Sequence, residues 1–320
     1  MIHHSYKLMV GDHHETCHTS IMMPFAAKLL RQLTAMFVLC FWTVSLTACH
    51  DADETLIISH FHQNNPLCDG QKRLRVLAIG NSYSKDGVAQ LQGVLNAAGL
   101  DTTTYTVYVA AHDAATLKHW WEMATTDSIV ALNHYAGYHI PDTVGTLGSM
   151  LSYPWDVIVL QQYSGQAINY STYNPSLNQL INFIVDNSTN PQLSLAWQLI
   201  WSYADVFSDT QPTGLERWRL ICAATKQMMT YDGIDIIIPS GTAIQLARAT
   251  SLNTDLQLTR DGTHLDVYAG RYIAACTWAQ ALFAPVYGFD IGDLSTTSWR
   301  YDAQLCRQCA IKAVLMPFNK

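Results

Sequence analysis

The stretch Leu74-Arg75-Val76-Leu77-Ala78-Ile79-Gly80-Asn81-Ser82 decides the fold. Its first six residues are apolar but for Arg75, which suits a strand buried on both faces. Gly80 and Asn81 break the run, and the residues after Ser82 read as a helix. A strand that turns directly into a helix is the first unit of an alternating α/β chain. Further strands follow at 104–109, 156–160, 193–198 and 234–239. The third and fifth are nearly unbroken apolar runs, Val157-Ile158-Val159-Leu160 and Ile234-Asp235-Ile236-Ile237-Ile238. Helical periodicity separates them at 88–98, 115–123, 176–186, 214–231 and 243–249, and a last helix falls at 267–282. Strands alternating with helices predict a parallel sheet covered on both sides, a three-layer α/β/α fold. Residues 128–153, rich in Gly, Tyr and His, fit neither period and read as an insertion over the active-site edge.

In a sheet of this kind, functional groups collect at the carboxyl ends of the strands. Ser82 stands there, beyond the first strand. Some 180 residues later comes Arg260-Asp261-Gly262-Thr263-His264-Leu265, with an acid and a histidine three residues apart. A serine hydroxyl is a weak nucleophile until a base takes its proton, and the base needs a third group to orient it. Ser82, His264 and Asp261 supply that set, and it predicts acyl-transfer chemistry with no cofactor. Ser84 is the rival nucleophile by proximity. Each residue also has a plainer role open to it: Ser82 as a helix N-cap, Asp261 as an Asp-Gly turn residue, His264 as a surface histidine.

The first residues concern destination rather than fold. Lys28 and Arg31 precede an uncharged apolar stretch, 33–48, that is short for a membrane span and laid out like a secretory signal. It ends Leu46-Thr47-Ala48-Cys49, which resembles a bacterial lipobox in which the cysteine is lipidated. The reading is therefore a signal peptide over 1–48, with Met22 or Met23 as the better start, a lipidated tether over 49–72, and one domain over 73–320. The alternative is a single N-terminal anchor helix. Either way the domain lies outside the cytoplasm; on the lipobox reading it sits in the periplasm or at the cell surface of a bacterium, held to the membrane through Cys49. The chain carries 18 Lys and Arg against 25 Asp and Glu, for a formal net charge of −7. That balance argues against nucleic acid as a partner. Charged residues make up only 13% and hydrophobic ones 49%, enough for a large core.

Metal binding is not expected. His112, His119, His134 and His139 lack ligand spacing, and Cys306-x-x-Cys309 lacks a second pair. Beyond Cys49 the five cysteines form no closed disulfide framework. Cys222 and Cys276 read as core, and a bond between Cys306 and Cys309 is left open. Trp120, Trp121, Trp197 and Trp201 read mainly as core, with one or two able to line a sugar site.

Three motifs in order carry a family resemblance: Ile79-Gly80-Asn81-Ser82, Leu160-Gln161-Gln162-Tyr163-Ser164 and Arg260-Asp261-Gly262-Thr263-His264-Leu265. Over residues 73–285 the chain resembles the SGNH (GDSL-type) hydrolases, in particular a bacterial branch with these GNS, LQQxS and DGxHL signatures. The resemblance implies a flavodoxin-like fold and a serine esterase or deacetylase acting on O-acyl groups, acetyl above all, on extracellular carbohydrate. It also implies an oxyanion site. The glycine such enzymes carry after strand two is replaced by Ala110-Ala111-His112-Asp113-Ala114-Ala115, so a backbone N–H near Ala114 is the expected donor. The usual Gly-x-Asn-Asp after strand three is absent; Gln161 or Gln162 would supply the side-chain donor, with Asn81 beside them. Two other readings stay open: a non-catalytic glycan-binding protein on the same scaffold, and a lipase or thioesterase of the same fold.

Overall fold

The computed structural model describes residues 73–140, 144–207, 212–231, 233–253, 255–298 and 300–319. The expected signal peptide, tether and lipidated Cys49 lie outside the described residues. Seven strands form one sheet: β1 (Leu74–Gly80), β2 (Tyr105–Ala111), β3 (Ile129–Gly137), β4 (Val144–Thr146), β5 (Val157–Leu160), β6 (Ser194–Gln198) and β7 (Ile236–Ile238). Their order is β4-β3-β2-β1-β5-β6-β7. Strands β2, β1, β5, β6 and β7 are parallel. Taken alone, these five follow the doubly wound order of flavodoxin-like folds, with the reversal of strand order beside β1. All four residues of β5 and six of the seven in β1 are buried, as the apolar runs require.

The expectation for 128–153 is corrected. The strands of this segment, β3 and β4, extend the sheet. β3 pairs antiparallel with β2, and β4 antiparallel with β3, so the sheet is mixed. The first residues of β3 alternate, with Val130 and Leu132 buried and Ile129, Ala131 and Asn133 exposed. One dry face and one wet face suit an antiparallel outer strand. Gly137 closes the strand at φ 80°, and a Cβ there would lie 2.1 Å from the Tyr105 carbonyl oxygen, so only glycine fits.

Helices α1 (Ser82–Val88) and α2 (Leu91–Ala97) replace the single helix expected over 88–98. The chain breaks at Gln90, whose amide nitrogen donates to the carbonyls of Val267 (2.7 Å) and Tyr268 (3.1 Å). The other helices are α3 (Leu117–Thr125), α4 (Leu147–Leu151), α5 (Ser176–Asn187), α6 (Gly214–Tyr231), α7 (Ser240–Ala247), α8 (Ala269–Trp278), α9 (Ala284–Tyr287) and α10 (Ala303–Leu315). A π turn, Ala279–Phe283, joins α8 to α9. Helix α8 packs on α1, α7 and α10, whereas α3 packs on α5. These two groups flank the sheet and give three layers. Cys222, Cys276, Cys306 and Cys309 are buried free thiols, so Cys306 and Cys309 are not bonded. Burial pushes Cys309 up to about 11.

Candidate active site

Ser82 is the first residue of α1, directly after β1. Its placement is fixed by buried neighbours. Asn81, not Ser82, caps the helix: its Oδ1 accepts from the Tyr83 N–H at 3.0 Å, and its Nδ2 donates to the Ala115 carbonyl at 3.2 Å. The Asn81 side chain therefore braces the turn against the segment after β2. Tyr83 stacks on Trp201 with ring centroids 4.4 Å apart. Gly80 is required, since a Cβ there would meet Ser84 Oγ at 2.2 Å. Ser84 itself is 1% exposed, under the helix and away from solvent.

His264 comes to Ser82 from 182 residues away. Its Nε2 lies 2.9 Å from Ser82 Oγ, and its Nδ1 lies 2.6 Å from Asp261 Oδ2. The other carboxylate oxygen, Asp261 Oδ1, accepts from the Thr263 N–H (2.9 Å), the Thr263 hydroxyl (2.8 Å) and the His264 N–H (2.7 Å). Partial burial pulls the Asp261 carboxyl upward. The N–H and imidazole of His264, then the N–H and hydroxyl of Thr263, outweigh it and hold the acid well below the usual carboxylate range. The turn depends on Gly262 at φ 86°. The 201–207 segment backs it: Trp201 Nε1 donates to the Thr263 carbonyl (2.7 Å) and the Ala204 N–H to the Gly262 carbonyl (2.8 Å). Three exposed apolar residues flank the turn in sequence or by contact: Phe207, Val267 and Tyr268.

The two glutamines face opposite ways, as strand alternation demands. Gln161 is buried, and its Nε2 donates to Asn81 Oδ1 at 2.6 Å, next to the nucleophile. Its Oε1 is buried without a hydrogen-bond partner. Gln162 is turned away and fully engaged. Its Oε1 accepts from the N–H groups of Leu117 (3.2 Å) and Tyr163 (2.8 Å), and its Nε2 donates to the Thr172 carbonyl (3.1 Å) and hydroxyl (3.2 Å). The alternative of Gln162 as oxyanion donor is thereby corrected: it is a structural bracket. Ala114 is exposed and held at φ 54°, a left-handed conformation that glycine adopts more readily. It lies in the stretch after β2 where the family resemblance leads one to expect a glycine.

Trp120, Trp197 and Trp201 are core and line no open surface, and half-buried Trp121 meets Phe183 edge-on. His112 and His119 lie with ring centroids 4.5 Å apart, and His134 and His139 5.2 Å apart, but among the described residues no group of three metal-ligating side chains forms. Asp86 escaped the sequence reading. It is 2% exposed and bonds Arg260, Arg271 and the Leu265 N–H. The available signal is an acid one helical turn after Ser82, on the same face as the nucleophile.

A mixed, mostly parallel sheet with a Ser-His-Asp constellation at the carboxyl end of β1 defines the class of the molecule. The chain belongs to the family described as Domain of unknown function (DUF4886), whose model matches residues 75–311. It is similar to the crystal structure of a DUF4886 family protein from Bacteroides uniformis ATCC 8492, at 28% identity and TM-score 0.68, over 77% of this chain and 96% of that one. More distant likenesses include a protein from Slackia heliotrinireducens described as a candidate SGNH hydrolase (17% identity, 65% of this chain and 98% of that one, TM-score 0.45). Another is the acetyl xylan esterase AlAXEase (13% identity, 64% and 98%, TM-score 0.45). These two share too little geometry to inform the chemistry. No curated protein matches the chain.

Proposed function

We propose that this protein is a serine ester hydrolase of the SGNH type, with O-acetyl groups on carbohydrate as its substrate class. The observation that carries the reading is the continuous chain Ser82 Oγ to His264 Nε2 (2.9 Å) and His264 Nδ1 to Asp261 Oδ2 (2.6 Å). Both distances fall within the reach needed for proton transfer and orientation. Ser82 Oγ attacks the ester carbonyl carbon while His264 Nε2 takes the hydroxyl proton. The tetrahedral oxyanion collapses, the alcohol leaves with that proton, and Ser82 holds the acyl group. Water, deprotonated by His264, then attacks the acyl carbon, and the carboxylic acid departs as Ser82 regains its proton. Asp261 keeps Nδ1 protonated and offsets the imidazolium charge formed in each half-reaction. The free N–H of the helix start at Ser82, the N–H of Ala114 and the Gln161 amide are the assigned oxyanion donors.

The openness of the base supports a large alcohol. Asp261 is 46% exposed and His264 30%, so the leaving group lies toward solvent, where a polymer fits. Phe207 and Tyr268 are exposed aromatic rings near the turn; the Arg300 guanidinium lies 4.3 Å over Tyr268, which leaves Phe207 as the ring best able to pack on the apolar face of a pyranose. The test is acetate release from acetylated glycans, run beside p-nitrophenyl esters of increasing acyl length. Acetate release with activity falling beyond short acyl groups supports the reading. Activity rising with chain length replaces it with a lipase. Glycan binding without hydrolysis of any ester replaces it with the non-catalytic reading.

A further inference from the structure

Ser82 and His264 sit on separate elements, and their contact is only as good as the attachment between those elements. Helix α1 is seven residues long and its first turn carries the nucleophile. Residues 260–265 are a loop, closed on itself by the Arg260 N–H donating to the His264 carbonyl at 2.8 Å. Among the described residues, the hydrogen bonds from α1 to this loop are the Ser82–His264 contact and those made by Asp86. Asp86 lies one helical turn after Ser82. Its Oδ2 accepts from Arg260 Nη1 at 2.9 Å and from the Leu265 N–H at 3.0 Å, so it grips the loop on both sides of His264. Its Oδ1 accepts from Arg271 Nε (2.9 Å) and Nη2 (2.6 Å), which adds α8 to the same point. Arg260 Nη1 also donates to the Leu265 carbonyl.

We propose that Asp86, with Arg260 as its near arm, is a positioning clamp that sets the Ser82–His264 distance for the esterase chemistry inferred above. The physical case is one of stiffness. A carboxylate 2% exposed, with four charge-assisted or backbone donors, holds its partners in one geometry. Leu265 packs in the core, but the exposed Asp261 and the partly exposed His264 take their placement from polar contacts. Arg271 makes the two-donor contact from α8, and Arg260 makes the contact that moves with His264. The clamp touches no reacting atom. It acts through the placement of His264, where a misplacement of about 1 Å can cost roughly 10²-fold in rate.

Arg260→Gln tests this with the fold kept, because Arg271 still neutralises Asp86 in that variant. The expected result is a kcat lower by about tenfold or more, a KM within about twofold, and a melting temperature close to that of the unaltered protein. Arg260→Lys should recover part of kcat, since one donor still reaches Asp86. Asp86→Asn should lose more, with some loss of stability because two guanidinium groups then face each other. A kcat unchanged within twofold in Arg260→Gln, or a rise in KM alone, overturns the proposal. The ¹⁵N resonances of the His264 ring give a second readout that needs no turnover. They should shift in Arg260→Gln; unmoved resonances overturn the clamp even if the unaltered protein hydrolyses no ester. Failure of the unaltered protein to hydrolyse esters, with His264 resonances that do shift, would instead sink the esterase reading and leave the clamp standing.

Discussion

The nucleophile turn and the acid-base loop are built on opposite plans. Around Ser82 the neighbours are buried: Asn81 is 1% exposed, Tyr83 3% and Ser84 1%. Their positions follow from the strand beneath, the asparagine brace and the stacked Trp201. Around His264 the polar groups are more open, with Asp261 exposed and Thr263 and His264 half-buried between the buried Gly262 and Leu265, and much of their order comes from hydrogen bonds. One aspartate oxygen accepts three donors from the two neighbouring residues, Gly262 makes the bend, and Trp201 and Asp86 hold the outside. The nucleophile is thus fixed by packing and its base by polar contacts. Substitutions near Ser82 should act on chemistry or folding through volume. Substitutions near His264 should act through charge and through pH.

The sharpest break concerns the two serines of the nucleophile turn. Ser82→Ala should lower kcat by about 10⁶, the scale seen when a triad serine is removed, while thermal melting stays nearly the same. Ser84→Ala should leave most of the activity, because its Oγ is buried against Gly80 and has no base beside it. Measured ester hydrolysis that survives Ser82→Ala but not Ser84→Ala would reverse the assignment and the comparison with it.

The parallel half of the fold is legible because burial on both faces leaves no choice of residue: Val157 to Leu160 is a run that only a covered strand tolerates. The outer strand β3 is harder to read. Its Gly, Tyr and His content hides an alternation that only Val130 and Leu132 reveal, and its partner strand is a tertiary fact. The helix break at Gln90 depends on carbonyls near residue 268, which no local pattern encodes. The order of the serine, aspartate and histidine along the chain is visible because Ser82 opens a helix just after a strand and Asp261 and His264 bracket an Asp-Gly turn. Asp86 is invisible for the converse reason. It lies inside a helix and its meaning comes from Arg260, Arg271 and Leu265, 174 to 185 positions away.

A smaller effect separates Gln161 from Gln162. Gln161→Ala should cut kcat by about 10²–10³ with little change in KM, as expected for one donor whose bond strengthens only as charge develops. Gln162→Ala should instead destabilise, by about 1–3 kcal/mol, because it strands the buried Leu117 N–H and frees the loop around Thr172. Steady-state kinetics and denaturant melts on the pair decide the matter. Equal, small losses of kcat in both would remove Gln161 from the oxyanion site and leave that role to backbone N–H groups alone.

The smallest effect is on stability against pH, and it isolates the polar plan of the loop. The Asp261 carboxyl is depressed below its ordinary value near 4 by the donors from His264 and Thr263, against the upward pull of burial. A group whose folded value is depressed gives stability that is present above the unfolded value and is lost as pH falls through the folded one. The contribution of Asp261 should therefore be full at pH 8 and at pH 5, and should drain away only below about pH 4. Solvent screening of a side chain 46% exposed makes it modest. Melting curves of the unaltered protein and Asp261→Asn, taken from pH 8 to pH 3, should run a constant distance apart down to about pH 5 and converge below about pH 4. The same ionisation means that a fall in kcat/KM between pH 8 and pH 5 cannot come from Asp261. Curves that already converge between pH 7 and pH 5 would show the carboxylate taking up its proton near neutrality. It could not then hold the His264 imidazole through both half-reactions, and the loop's order would have to come from Gly262, Trp201 and Asp86 instead.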